Sequence, residues 1–296
     1  MLTTMPIPVD MAAHFPGLVP LARRTTRLHP RLGTPGVGDS SIGGPLLWPA
    51  DEPWPVCHAA HFDRDGGDHP PCPRVPVAQL FARDVPDLPF PDGADVLQLL
   101  WCPLEHGDDS CPEPIVVWRA AVDVAEVLHA VPEPLVEAED CYIPNACHVS
   151  PESVLEYPNV DIPDQYVVWA EAKRLEAETG WNFDSDLTVA PGIKTGGFPG
   201  WTQNPEWPIC TCGTTMDHLM TIASWEFDGL GPGRWLPLEE RHLTAGLDSA
   251  SWQERSAALR PVREPVGIML GDAGGIYLFY CPVCPDRPIG YRFDCS

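Results

Sequence analysis

Residues 43–57 and 196–210 carry one pattern at a constant offset. Gly43-Gly44-Pro45 with Trp48, Trp54-Pro55 and Cys57 returns 153 residues on as Gly196-Gly197 with Trp201, Trp207-Pro208 and Cys210. Tryptophan and cysteine each occur only 11 times in 296 residues, so their shared register points to a repeated unit rather than coincidence. The parallel continues with changed spacing. Val96 to Pro103 matches Gly275 to Pro282, each an apolar run of strand length ending in aromatic-Cys-Pro. A further cysteine and a further strand follow, Cys111 with 115–118 and Cys284 with 289–293. The expected fold is therefore α+β and predominantly β, an internal duplication of two β-rich halves, each ending in a cysteine-bearing hairpin. Its spans are a first repeat at 1–132, an acidic link at 133–190 and a second repeat at 191–296. The Gly-Gly pairs suit a turn with positive φ or close backbone approach. They lack the spacing and the lysine of a phosphate loop.

Proline sharpens this expectation. It makes up 37 of 296 residues, about 12% against roughly 5% on average. Each proline removes a donor and clashes with the preceding helical turn, so short strands and ordered loops are favoured. The best helix candidate is Asp164 to Thr179, capped by Asp164, ended by Gly180, with Val168, Ala172, Leu175 and Thr179 on one face. It lies in the most acidic stretch. Residues 133–186 hold 13 acidic and 2 basic side chains, nearly half of the net charge of −24. So negative a chain repels phosphate, which disfavours nucleic acid and anionic membranes and favours a basic protein partner. No stretch approaches the length of a membrane span, and the first residues lack a signal-peptide pattern, so a cytoplasmic location is expected.

In that compartment thiols stay reduced, and clustered cysteines read as metal ligands before disulfides. Cys210-Thr-Cys212-Gly and Cys281-Pro-Val-Cys284 form two close pairs on tight turns. Four thiolates at about 2.3 Å are what a structural zinc ion needs. The repeat extends the prediction: Cys57 is the register partner of Cys210, and Cys102 of Cys281. With Cys72 standing for Cys212 and Cys111 for Cys284, a second zinc site at Cys57, Cys72, Cys102 and Cys111 is expected. A competing set draws histidine from the insertion at 58–69, which contains His58, His61 and His69, or from His106. Cys147-His148 are adjacent on an extended chain and point opposite ways, so they cannot form a dyad with each other. Gly271-Asp272-Ala273-Gly274-Gly275 reads as a tight turn before a strand. No G-x-S-x-G, HExxH, P-loop or G-x-G-x-x-G is present, and no catalytic residue is assigned.

The second half, Lys194-Thr-Gly196-Gly197-Phe-Pro199-Gly-Trp201, Cys210-x-Cys212-Gly, Met216-x-x-Leu219, Gly271-Asp272-Ala-Gly274 and Tyr277-Leu-Phe279-x-Cys281-Pro-Val-Cys284, resembles the bacterial YwqG-like family, domains of unknown function. A more distant similarity runs to the programmed-cell-death-protein-2 family. The latter resemblance implies a dedicated chaperone for a newly made ribosomal protein, although CxC here replaces that family's CxxC. The former implies an association with toxin–immunity loci. Both fit a zinc-stabilised, non-catalytic protein-binding module. The alternative is a metal-dependent hydrolase whose site lies in the His/Asp insertion at 58–69.

Overall fold

The structure, a computed structural model, describes residues 2–59, 70–107, 110–135, 140–160, 162, 165–227, 233–247 and 249–295. In chain order its strands are β1 (Arg23–Arg27), β2 (Arg31–Leu32), β3 (Ser41–Ile42), β4 (Val56–Cys57), β5 (Cys72–Pro73), β6 (Val75–Phe81) and β7 (Val96–His106). They continue as β8 (Cys111–Arg119), β9 (Cys147–His148), β10 (Glu152–Glu156), β11 (Lys194–Gly196), β12 (Asp217–Ala223), β13 (Gly275–Tyr280) and β14 (Ile289–Asp294). The helices are α1 (Met11–His14), α2 (Gln165–Thr179) and α3 (Trp252–Arg263). The chain is mostly sheet, as expected. One six-stranded antiparallel sheet runs β10-β1-β11-β12-β13-β14; a second runs β2-β9-β3-β6-β7-β8; β4 and β5 form a separate ribbon. The prolines within the second sheet sit where a missing donor is tolerated. Pro76 adjoins the register shift in β6, and Pro112 and Pro114 lie on the edge strand β8.

The two sheets share one core. Leu97, Leu99 and Trp101 of β7 meet Leu219, Met220 and Ile222 of β12 and Ile276 and Leu278 of β13, all buried. Because side chains alternate along a strand, the intervening residues face outward into separate layers. On β7 these are Leu100, packed with Trp48 and Trp54, and then Cys102. On β13 they are Tyr277 and Phe279, packed with Trp201 beside Cys210 and Cys281. Burial on both faces explains why both strands read as apolar runs rather than as alternating ones, with Gln98 of β7 buried on hydrogen bonds to Leu47 O and Gln79 Oε1.

The span boundaries expected at 132/133 and 190/191 do not coincide with sheet boundaries. β1 pairs with β10 on one side and β11 on the other, while β9 pairs with β2 and β3. The segments 23–32 and 147–156 thus run antiparallel to each other through both sheets. Arg27 stands opposite Glu152, and Arg31 opposite His148, in one continued register. At the crossing His29 takes φ 45° and the Ser150 N–H donates to the Leu28 carbonyl at 2.7 Å.

Both Gly-Gly turns have positive φ: 75° and 85° at Gly43 and Gly44, 68° and 69° at Gly196 and Gly197. At Gly197 space is also lacking, since a Cβ would lie 1.9 Å from Glu156 Oε1. That buried carboxylate accepts from Lys194 Nζ at 2.8 and 3.0 Å, Ala190 N at 2.7 Å and Phe198 N at 2.5 Å, so it holds the turn. The five-residue run 271–275 is a tight turn as expected, with positive φ at Gly271 and Ala273.

Helix α2 ends as predicted, at Gly180 with φ 78° and its N–H on Glu176 O at 2.8 Å. Ala172 and Leu175 are buried against Met11, Phe15 and Phe183. Thr179 is exposed and turns its hydroxyl back to Leu175 O; the proposed cap Asp164 lies outside the described residues. Helix α3 escaped the sequence reading, although its start carries a reciprocal Ser251–Glu254 capping box.

Candidate metal centre

Cys210 and Cys212 sit on a miniature hairpin closed by the Ile209–Thr215 bridge. Cys210 N donates to Thr214 O at 2.8 Å, and Gly213, at φ 89°, returns its N–H to Cys210 O at 2.8 Å. Cys281 and Cys284 sit in the turn joining β13 to β14, where Cys281 N bonds Pro288 O at 3.0 Å and Arg287 N bonds Cys284 O at 3.1 Å. The two turns bring all four sulphurs within 4.8 Å of one another. Cys212 Sγ lies 3.6 Å from Cys281 Sγ, and Cys210 Sγ 3.9 Å from Cys284 Sγ. Tetrahedral zinc with bonds of about 2.3 Å sets its sulphurs about 3.8 Å apart. The Cys284 N–H points at Cys281 Sγ at 3.5 Å, a donor suited to a thiolate. The Thr214 hydroxyl, at 3.3 Å, is the main cause that brings the Cys212 thiol down to about 6. Hydrogen bonding with Cys281, then Cys212, pushes Cys284 up to about 12. Negative charge is thus already favoured at the exposed corner of the cluster. A metal here would be held by four protein ligands, with no open position for substrate. The residues expected for the first site are the residues that come together.

The second expected set assembles differently. Cys57 and Cys72 pair across the β4–β5 ribbon. Both are buried with Cys102. The group whose ligand atoms all lie within 4.8 Å of one another is Cys57, Cys102 and His106. Cys72 and Cys111, expected as ligands, are not members of that group. The reason is the length of β7. It runs on past Cys102 through a register shift to His106, which keeps Cys102, Leu104 and His106 on one face and carries the turn beyond them. Cys111 then begins the return strand opposite His106. Burial is the main cause that raises the Cys57 and Cys102 thiols above the usual range. Cys57 Sγ lies 3.4 Å from Glu113 Oε2, whose carboxylate is paired with Arg74 at 2.5 Å. Of the insertion at 58–69, residues 60–69 lie outside the described residues, His61 and His69 among them; His58 is exposed.

Cys147 is buried, donates weakly to Pro265 O at 3.6 Å and is pushed up to about 12 by burial. His148 beside it is exposed, so the adjacent pair is split across the strand.

A groove adjoins the first cluster, lined in part by the Lys194–Trp201 and 271–277 motifs. A cavity of about 400 Å³ is walled by Trp201, Trp225, Phe227 and Tyr277, with Lys194 at its floor and Asp184 on its rim. A second, of about 370 Å³, meets it at Trp201 and Asn159 and extends along Phe198 and Trp207 to Arg23. Among the described residues, three buried polar atoms of the side chains around the groove have no partner: Trp201 Nε1, Trp225 Nε1 and Asn159 Oδ1. Lys194 is already committed to Glu156, and Arg23 to the Phe198 face at 4.5 Å. Burial raises the Asp184 carboxyl. The wall rests on the cysteine turns, for Trp201 and Trp207 pack with Phe279, Cys210, Cys281 and Cys284.

No protein-family model matches the chain, and no curated protein matches it in sequence. No helix among the described residues is long and apolar enough to cross a membrane.

Proposed function

We propose that the chain is a zinc-stabilised, non-catalytic binding protein of YwqG-like type that holds an extended segment of a basic protein partner. The observation that carries this reading is the convergence of Cys210, Cys212, Cys281 and Cys284 from two tight turns at tetrahedral sulphur spacing. A closed site of this kind stabilises folding, on the order of 10 kcal/mol of apparent binding energy, and leaves no coordination position for hydrolysis. Its place behind the Trp201–Trp207 wall gives it a task, which is to hold a binding surface in shape.

The groove supports the second part. Its aromatic walls suit proline or the stems of basic side chains. The rim carboxylate and the net charge of −24 favour a cationic guest. Duplication is supported by the strand orders. The runs β11-β12-β13-β14 and β3-β6-β7-β8 follow the same chain order within their sheets. The family assignment rests on the motifs of residues 194–219 and 271–284.

Tryptophan fluorescence during titration with basic, proline-containing peptides tests the reading. A saturable change that weakens with added salt and disappears on chelation is expected. Zinc-free purified protein, or no saturable change at low salt, overturns it.

A further inference from the structure

We infer that the first half holds a second and chemically different zinc site, with Cys57, Cys72, Cys102 and His106 as its ligands and Cys111 outside it. The inference uses the shared strand registers of the two sheets and does not depend on the partner proposed above.

Three ligands follow from geometry already described. Cys57, Cys102 and His106 bring their ligand atoms within 4.8 Å of one another, and all three are buried. The first centre shows why these residues meet. Tyr280 stands opposite Ile289, one residue before Cys281, as Trp101 stands opposite Pro114, one residue before Cys102. Cys281-Pro-Val-Cys284 then reaches its second ligand three residues on, and Cys102-Pro-Leu-Glu-His106 reaches its own four residues on. His106 therefore takes the place of Cys284. From the same reference pairs, Cys111 lies three residues before Pro114, level with Asp286, which is not one of the four first-site cysteines.

The fourth ligand comes from the ribbon. Arg74 N bonds Pro55 O at 3.0 Å, as Met216 N bonds Pro208 O at 2.9 Å, so the two entry turns share a frame. In that frame Cys72, opposite Cys57, stands where Thr214 stands opposite Cys210. Thr214 already touches Cys212 Sγ at 3.3 Å, so a sulphur at its position is close to where the third thiolate belongs. Cys72 is buried and is a side-chain hydrogen-bond partner of Cys102. Closing the set requires Cys72 to turn its sulphur toward the other three, a side-chain rotation within a packed layer.

Three thiolates and one neutral imidazole around Zn²⁺ form a closed Cys₃His site. It carries a net charge of −1, against −2 for four thiolates. The lower charge suits a more buried place, and the Arg74–Glu113 pair beside Cys57 supplies the adjoining ionic contact.

The test uses the intact purified protein. Metal analysis is expected to give about two zinc ions per chain, and X-ray absorption at the zinc edge about seven sulphur ligands to one nitrogen. One zinc per chain, or an all-sulphur shell, overturns the assignment. Cys111→Ser is expected to keep both ions, and His106→Cys to keep both while removing the nitrogen signal. Loss of one zinc from Cys111→Ser, or a nitrogen signal that survives His106→Cys, overturns it too. Cys284→Ser tests the first centre separately: loss of its zinc with the nitrogen-containing site retained distinguishes a fault in one site from a fault in the other.

Discussion

The two cysteine-bearing hairpins are built on the same strand order and differ in how far they reach. β13 stops at Tyr280 and leaves Cys281 and Cys284 to the following turn, where they meet the 209–215 hairpin whose Cys212 is exposed. β7 continues to His106 and keeps its cysteines under a ribbon and a layer containing Leu104. Both sit over a tryptophan pair, Trp201–Trp207 in one case and Trp48–Trp54 in the other. The first pair also borders the groove described above. A few residues of strand length thus separate a cysteine cluster beside an accessible groove from one buried within the fold.

The sharpest way to break this comparison is metal removal. Chelation at elevated temperature is expected to unfold the chain with release of zinc, since each closed site contributes on the order of 10 kcal/mol. The exposed centre is expected to empty first; calorimetry with a zinc indicator reads the order of loss. Next in size, Trp201→Ala and Trp48→Ala are each expected to cost about 3–5 kcal/mol by denaturant unfolding, because both side chains are buried on the outer face of a sheet. Only Trp201→Ala is expected to abolish peptide-induced fluorescence change as well. Glycine turns come third. Gly197→Ala drives a methyl against Glu156 at a left-handed residue, whereas at Gly44 the added Cβ meets Pro76 at 3.0 Å. The first change is expected to lower the unfolding midpoint more than the second, by about 1–3 kcal/mol.

The smallest effect lies at the crossing between the sheets. Burial lowers His29 from 6.5 to about 4. The folded chain keeps it neutral while the unfolded chain protonates it, so its contribution is complete above pH 6.5 and is lost as pH falls toward 4. About 1 kcal/mol is expected to be gone by pH 5.5. His29→Ser is expected to flatten that part of the stability profile, read by unfolding at successive pH values.

Much of this was legible because rare residues carried it. Tryptophan, cysteine and paired glycine occupy positions that few other residues can fill, so the hairpins, the Gly-Gly turns and the first metal centre followed from spacing. The continued pairing of 23–32 with 147–156 was hidden because a two-residue strand such as Arg31–Leu32 has too little length for periodicity. His106 entered only as a competing ligand, because its meeting with Cys57 and Cys102 depends on a register shift inside β7, which the paired strand reveals. The groove was not read from its motif residues, since its lining also draws on residues spread from Arg23 to Phe227 that no pattern links.

The crossing of 23–32 with 147–156 has a further consequence. β1 belongs to a sheet built mainly from the later part of the chain, and β9 to a sheet built mainly from the earlier part. Each of the two segments therefore supplies a strand to both sheets, and loss of either one opens both sheets at once.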